Sequence, residues 1–69
     1  MNEDAFNTSL RRFLKTFGVT AQREMEKAVR QALSDGRLKG DESFAATAVV
    51  TIKDINFKLD IGGRIELES

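Results

Sequence analysis

Phe17-Gly18-Val19-Thr20 decides how the first half of the chain is read. Upstream of it, Phe6, Leu10, Phe13, Leu14 and Phe17 recur at spacings of 4, 3, 1 and 3. At ~100° per residue they fall within an arc of roughly 100°, so residues 3–17 are expected to form an amphipathic helix. Asn2 is the expected N-cap, and Glu3 and Asp4 complement the positive end of the helix dipole. Gly18 stands just past the last periodic residue, where a left-handed C-terminal cap belongs. Thr20 then reads as the N-cap of a second helix running to about Ser34. Its stripe is Ala21, Met25, Ala28, Val29, Ala32 and Leu33, its opposite face Arg23, Lys27 and Arg30, and its cap Gly36. Residues 3–34 are therefore expected to be a helical hairpin with a very short connection.

Residues 35–43 carry two glycines and five charges and read as a loop. From Phe44 the period changes to two. Residues 44–52 are uncharged and rich in Ala, Val, Thr and Ile, which is a strand pattern, with Phe44, Ala46, Ala48, Val50 and Ile52 on one face. Beyond Lys53-Asp54, the apolar residues Ile55, Phe57, Leu59, Ile61, Ile65 and Leu67 are all odd-numbered. Parity constrains the wiring. A two-residue hairpin loop at Gly62-Gly63 would set Ile61 opposite Arg64 and Leu59 opposite Glu66, bringing charge onto the apolar face. One long strand over 55–67 keeps every facing pair apolar or glycine. A tight turn pairs Ile52 with Ile55, and a four-residue Lys53–Asn56 loop shifts that by two with the same logic. One long hairpin is favoured, with Gly62-Gly63 as a bulge or kink. A loop at 62–64 that creates a third short strand is the alternative.

The chain has 69 residues, 41% apolar and 32% charged, with 11 basic and 11 acidic side chains. That is the composition of one small globular domain, residues 1–69, with little surplus stability. Cysteine and histidine are absent, which removes disulfides, thiolate ligands and the commonest general base and metal ligand. The longest uncharged runs reach about ten residues, short of a ~20-residue membrane span. The acidic opening Met1-Asn2-Glu3-Asp4 lacks the features of a signal peptide, so a cytoplasmic location is expected.

Five segments stand out together: Met1-Asn2-Glu3-Asp4, Arg12-Phe13-Leu14-Lys15 running into Gly18-Val19-Thr20, Arg23-Glu24-Met25-Glu26-Lys27-Ala28-Val29-Arg30, Gly36-Arg37-Leu38-Lys39-Gly40 and Ile65-Glu66-Leu67-Glu68. Covering most of the chain, they resemble a family of very short, uncharacterised proteobacterial proteins. The resemblance implies a free-standing bacterial cytosolic protein. It carries no activity, cofactor or site residue.

The remaining chemistry is sparse. Paired carboxylates do acid–base work only where a cleft drives their pKa values apart. Asp41-Glu42 sits in a polar loop, and Glu24 and Glu26 flank a helix. Asp35, Asp41 and Glu42 do not match a calcium-loop spacing. Gly36-Arg-Leu-Lys-Gly40 lacks the Gly-Lys-Ser/Thr ending of a phosphate loop. No catalytic, cofactor or metal residue is assigned, and an enzyme is not expected. The turn at Gly18 admits a helix-turn-helix reading with Arg23, Lys27 and Arg30 on a recognition helix. Against it, Leu14 and Glu24 occupy positions that want a small and an apolar residue, and the net charge is zero. The charge is divided all the same: residues 1–40 hold eight basic and five acidic residues, residues 41–69 three and six. Arg11, Lys15, Arg23, Lys27 and Arg30 are thus candidate partner-facing residues.

Strand 44–52 bears on assembly. Its second face, Ala45, Thr47, Val49 and Thr51, is small and half polar, and an uncharged edge is a template for another chain. These residues are the candidate dimer strand. The expected architecture is α+β, a helical hairpin packed on an antiparallel β-hairpin in the order α-α-β-β. Phe6, Leu10, Phe13, Phe17, Met25, Val29, Leu33, Val50, Ile52, Phe57, Leu59 and Ile61 are its expected core. The expected function is a small non-enzymatic interaction module, homodimeric or bound to another protein, serving as adaptor or regulator. The alternative is a weak nucleic-acid binder using the basic helix faces.

Overall fold

The computed structural model describes residues 1–68. The element order is α1 (Glu3–Ser34), β1 (Ser43–Ile52), a single 3-10 turn (Lys53–Ile55) and β2 (Phe57–Glu66). One helix therefore stands where a helical hairpin was expected, and the order is α-β-β.

α1 is 32 residues long and begins at the expected cap. Asn2 is extended (φ −96°, ψ 109°), and its Oδ1 accepts a hydrogen bond from the Ala5 N–H at 3.0 Å. The helix then runs through Gly18, whose φ is not positive, so there is neither a cap at Gly18 nor an N-cap at Thr20. The energetics explain this. Glycine in a helix interior costs about 1 kcal/mol relative to Ala, and Val19 and Thr20 add a few tenths each. Breaking the helix there would orphan up to four N–H and four C=O groups, each hydrogen bond being worth about 1 kcal/mol. Continuity wins, since nothing in the sequence removes a donor as proline would.

The true end of α1 carries the glycine cap. Gly36 has φ +84°, the Arg37 N–H donates to the Ala32 carbonyl at 2.9 Å, and the Gly36 N–H to the Leu33 carbonyl at 3.3 Å. This crossed pair satisfies carbonyls that the helix leaves open, and it needs the left-handed residue between them.

The two strands form one antiparallel sheet in the order β1-β2. The register pairs Ile52 with Phe57, Val50 with Leu59, Ala48 with Ile61, Ala46 with Gly63 and Phe44 with Ile65. This is the pairing set by a four-residue Lys53–Asn56 loop. The loop closes on a helical turn followed by Asn56 in the left-handed region (φ 54°), with the Asn56 N–H donating to the Lys53 carbonyl at 3.1 Å. Asparagine tolerates that backbone better than most side chains. The ladder passes Gly62 and Gly63 without a break, so neither the expected bulge nor, among the described residues, a third strand is present. A Cβ at Gly62 would meet only the Ala46 carbonyl at 3.8 Å, and one at Gly63 nothing within 4 Å. Neither glycine is there for want of space.

By contacts the chain divides into two compact units, Met1–Arg37 and the remainder from Leu38 onward. The expected core is not found. Phe6, Leu10, Phe13, Phe17, Met25, Leu33, Ile52, Phe57, Leu59 and Ile61 are between 39% and 54% exposed, and Val29 and Val50 are half-buried. Among the described residues only Ala32 is buried. The reason lies in layers. One helix or one two-stranded ribbon has no second layer of its own to cover an apolar face, and the expected core relied on two helices side by side.

Candidate functional site

Continuity through Gly18 places all of α1 in one helical register. At 100° per residue, Phe6, Leu10, Phe13, Leu14, Phe17, Ala21, Met25, Ala28 and Ala32 fall within about 120°. What read as two stripes on two helices is one stripe along one helix. Its N-terminal half is built of Phe and Leu, and its C-terminal half largely of Ala. The sequence held the signal for this, since the spacing carries on across the glycine.

The same register disperses the candidate basic residues. Arg23 and Arg30 share a ridge with Arg12, whereas Arg11 and Lys15 lie to one side and Lys27 to the other, over about 160° in all. Glu26 lies between the Lys15 and Arg30 directions. The Lys27 ammonium is within 3.4 Å of the Glu24 carboxylate, both side chains being more than 60% exposed. A solvated pair of this kind contributes little stability. With one helix there is no turn between two, so the helix-turn-helix reading loses its basis.

On β1 the alternation is as expected: Phe44, Ala46, Ala48 and Val50 are half-buried, while Ala45, Thr47, Val49 and Thr51 are exposed. The register adds what β1 alone could not show. Across the ladder, Ala45 faces Arg64, Thr47 faces Gly62, Val49 faces Asp60 and Thr51 faces Lys58. The outward face thus mixes small residues of β1 with the charges of β2. Arg64 Nη2 also donates to Ser43 Oγ at 3.0 Å.

The loop before β1 is organised by Glu42. Its carboxylate accepts hydrogen bonds from the Lys39 N–H at 2.9 Å and the Gly40 N–H at 2.9 Å, with Gly40 at φ +113°. Its carbonyl accepts from the Leu67 N–H at 3.0 Å, one rung beyond the ladder. The Lys39 and then the Gly40 N–H hold this carboxyl below its ordinary value. Asp35 is lowered likewise, first by the Arg37 guanidinium, whose Nε lies 2.8 Å away. Both shifts run opposite to what a general acid near neutral pH requires. The acidic Gly40-Asp41-Glu42 turn was legible as a loop, but its role in gathering N–H groups was not. Among the described residues no three His, Cys, Asp or Glu side chains are grouped to hold a metal ion. No helix there is long and apolar enough to cross a membrane.

These features define a small α+β protein whose conspicuous surfaces are an apolar helix stripe and an open-edged β-ribbon. Residues 1–68 match the model of a family of unknown function, DUF6494, and the chain belongs to that family. No curated protein and no solved structure matches it.

Proposed function

We propose that the protein is a non-enzymatic interaction module that acts as a homodimer, in an adaptor or regulatory capacity. The observation that carries this reading is the exposure of large apolar side chains in both units, with Phe13 at 53% and Ile61 at 54%. Contiguous apolar surface of several hundred Å² on a soluble chain marks an interaction site. The backbone edge of β1 that faces away from β2 offers a second place for a strand to add, and the small outward side chains Ala45, Thr47, Val49 and Thr51 lie beside it. A nucleic-acid role draws less support, since the charge balances at 11 and 11 and the basic residues are dispersed around α1.

Sedimentation velocity from ~5 μM to ~0.5 mM tests the reading, the upper limit lying far above the Kd of a stable dimer. The expected species has twice the 7.7 kDa chain mass. A monomer throughout that range overturns the homodimer. Fluorescence anisotropy with generic DNA and RNA at ~50 mM salt should show no association, because a weakly charged surface releases few counterions.

A further inference from the structure

Resting on the homodimer reading above, we infer that two copies pair through α1 as an antiparallel helix pair, with the two-fold axis at residue 19. The occupant of the apolar stripe is thus a second copy of this chain. Leu14 apart, whose mate under this symmetry is Glu24, the stripe Phe6, Leu10, Phe13, Phe17, Ala21, Met25, Ala28, Ala32 has steps of 4, 3, 4, 4, 4, 3 and 4, which read the same from either end. Running a second helix the opposite way sets Leu10 against Ala28, Phe13 against Met25 and Phe17 against Ala21, the residue numbers of each pair summing to 38. Large side chains then meet small ones at the Leu10 and Phe17 rungs, and the flexible Met25 meets Phe13. A self-complementary patch of this kind is what a two-fold interface requires. Ala32 is already buried within its own chain, so the outermost rung, Phe6 against Ala32, lies outside the proposed contact.

Direction follows from the same sizes. A parallel pair would set Phe against Phe in one half and Ala against Ala in the other, overpacking the first and leaving voids in the second. Antiparallel helices also bring opposite dipole ends together. Thr16, Gly18 and Thr20 flank the stripe near the axis and are small enough for the helices to approach to about 8 Å, while Glu24, in the Phe6 direction, keeps its Lys27 partner at 3.4 Å. The steps average slightly more than 3.6 residues, so the seam stays close to straight rather than winding left-handed. The area suffices. Phe6, Leu10, Phe13, Leu14, Phe17 and Met25 are each 41% to 53% exposed. With Phe6 set aside, the other five at about 100 Å² apiece offer about 500 Å² per copy, or about 1,000 Å² in the pair before flanking residues are added, the least that a specific interface buries.

The chain has no cysteine, so single cysteines report on the geometry. Residues 10 and 28 of one helix are about 27 Å apart, beyond the reach of a disulfide within one chain. A mixture of Leu10→Cys and Ala28→Cys proteins under mild oxidation should give a cross-linked species of twice the chain mass. Neither protein alone should do so. If the parent sediments as a dimer but the mixture does not cross-link, the helix pairing is overturned and self-association stands. Self-cross-linking of Leu10→Cys would show a parallel pair, and that of Val49→Cys, without the mixture, a strand-edge dimer; either overturns the proposal. A parent that is monomeric at ~0.5 mM overturns both the pairing and the homodimer reading. As a second measurement, Ala28→Leu should weaken dimerisation at least tenfold, and adding Leu10→Ala should restore it. An unchanged dimer in Ala28→Leu also overturns the pairing.

Discussion

Replacing Gly18 by Ala should stabilise the protein, and the sign of the effect distinguishes one helix from two. Gly18 lies inside α1 with no positive φ, and a Cβ built there meets nothing within 4 Å. The added methyl therefore costs no packing within its own chain and removes the backbone freedom that glycine holds in the unfolded chain. The expected gain is about 1 kcal/mol. For a chain of this size that corresponds to roughly 4–8 °C in the melting midpoint. If Gly18 instead closed the first of two helices in the left-handed region, alanine would cost roughly 1–2 kcal/mol. The built-in control is Gly36, where the same substitution meets open space but a φ of +84°. Gly36→Ala should destabilise by about the amount that Gly18→Ala stabilises. Thermal and urea unfolding followed by circular dichroism read both variants. Read at a concentration low enough to keep the chain monomeric, a lowered midpoint for Gly18→Ala would refute the continuous helix and the antiparallel pairing built upon it.

Asn2→Ala removes the acceptor at 3.0 Å from the Ala5 N–H and should cost about 1 kcal/mol, read by urea midpoint and by loss of helical signal. Glu42 has its folded pKa held below 4.5, so its contribution to stability is fully present above that value and is lost as pH falls through the folded pKa. The parent should therefore lose more stability than Glu42→Gln between pH 6 and about pH 3, as measured by urea titration at each pH; parallel losses would show that the loop bonds do not form. Val49→Lys faces Asp60 on the exposed face and should leave strand content unchanged. It should also leave the sedimenting mass unchanged if α1 is the seam, and reduce it if β1 edges pair.

The β half of the fold was legible because side-chain parity admits few solutions. The odd-numbered apolar run from Ile55 to Leu67 excluded a loop at Gly62-Gly63, and the four-residue turn was among the registers left. What the sequence could not weigh was the cost of glycine against the cost of a helix break. Gly18 and Gly36 look alike in a string of letters. Only Gly36 is followed by a polar, glycine-rich loop, and only Gly36 takes the left-handed backbone. That one misreading produced the second helix, then the second layer, and so a core in which Phe6, Leu10, Phe13 and Phe17 would be covered. The same misreading put Arg11 and Lys15 on one helix and Arg23, Lys27 and Arg30 on another, whereas one continuous helix spreads them over about 160°. The Glu42 bonds were beyond reach because they depend on where two backbone N–H groups point, which composition does not encode.

The hairpin has a kinetic consequence. Its ladder joins residues close in sequence, from Ile52 and Phe57, five apart, to Ser43 and Glu66, 23 apart. α1 closes only turns of the chain upon itself. Contact order within each unit is therefore low, and the search for native pairings is short. Helix formation takes roughly 0.1–1 μs and hairpin closure roughly 1–10 μs. Encounter between two copies is far slower: at ~10 μM and ~10⁶ M⁻¹s⁻¹ it takes on the order of 0.1 s. If α1 pairs as proposed, refolding should divide into a burst that ignores protein concentration and a slow phase whose rate rises in proportion to it. On that pairing through α1, the yield of folded protein should depend on how soon each newly formed chain meets its own kind.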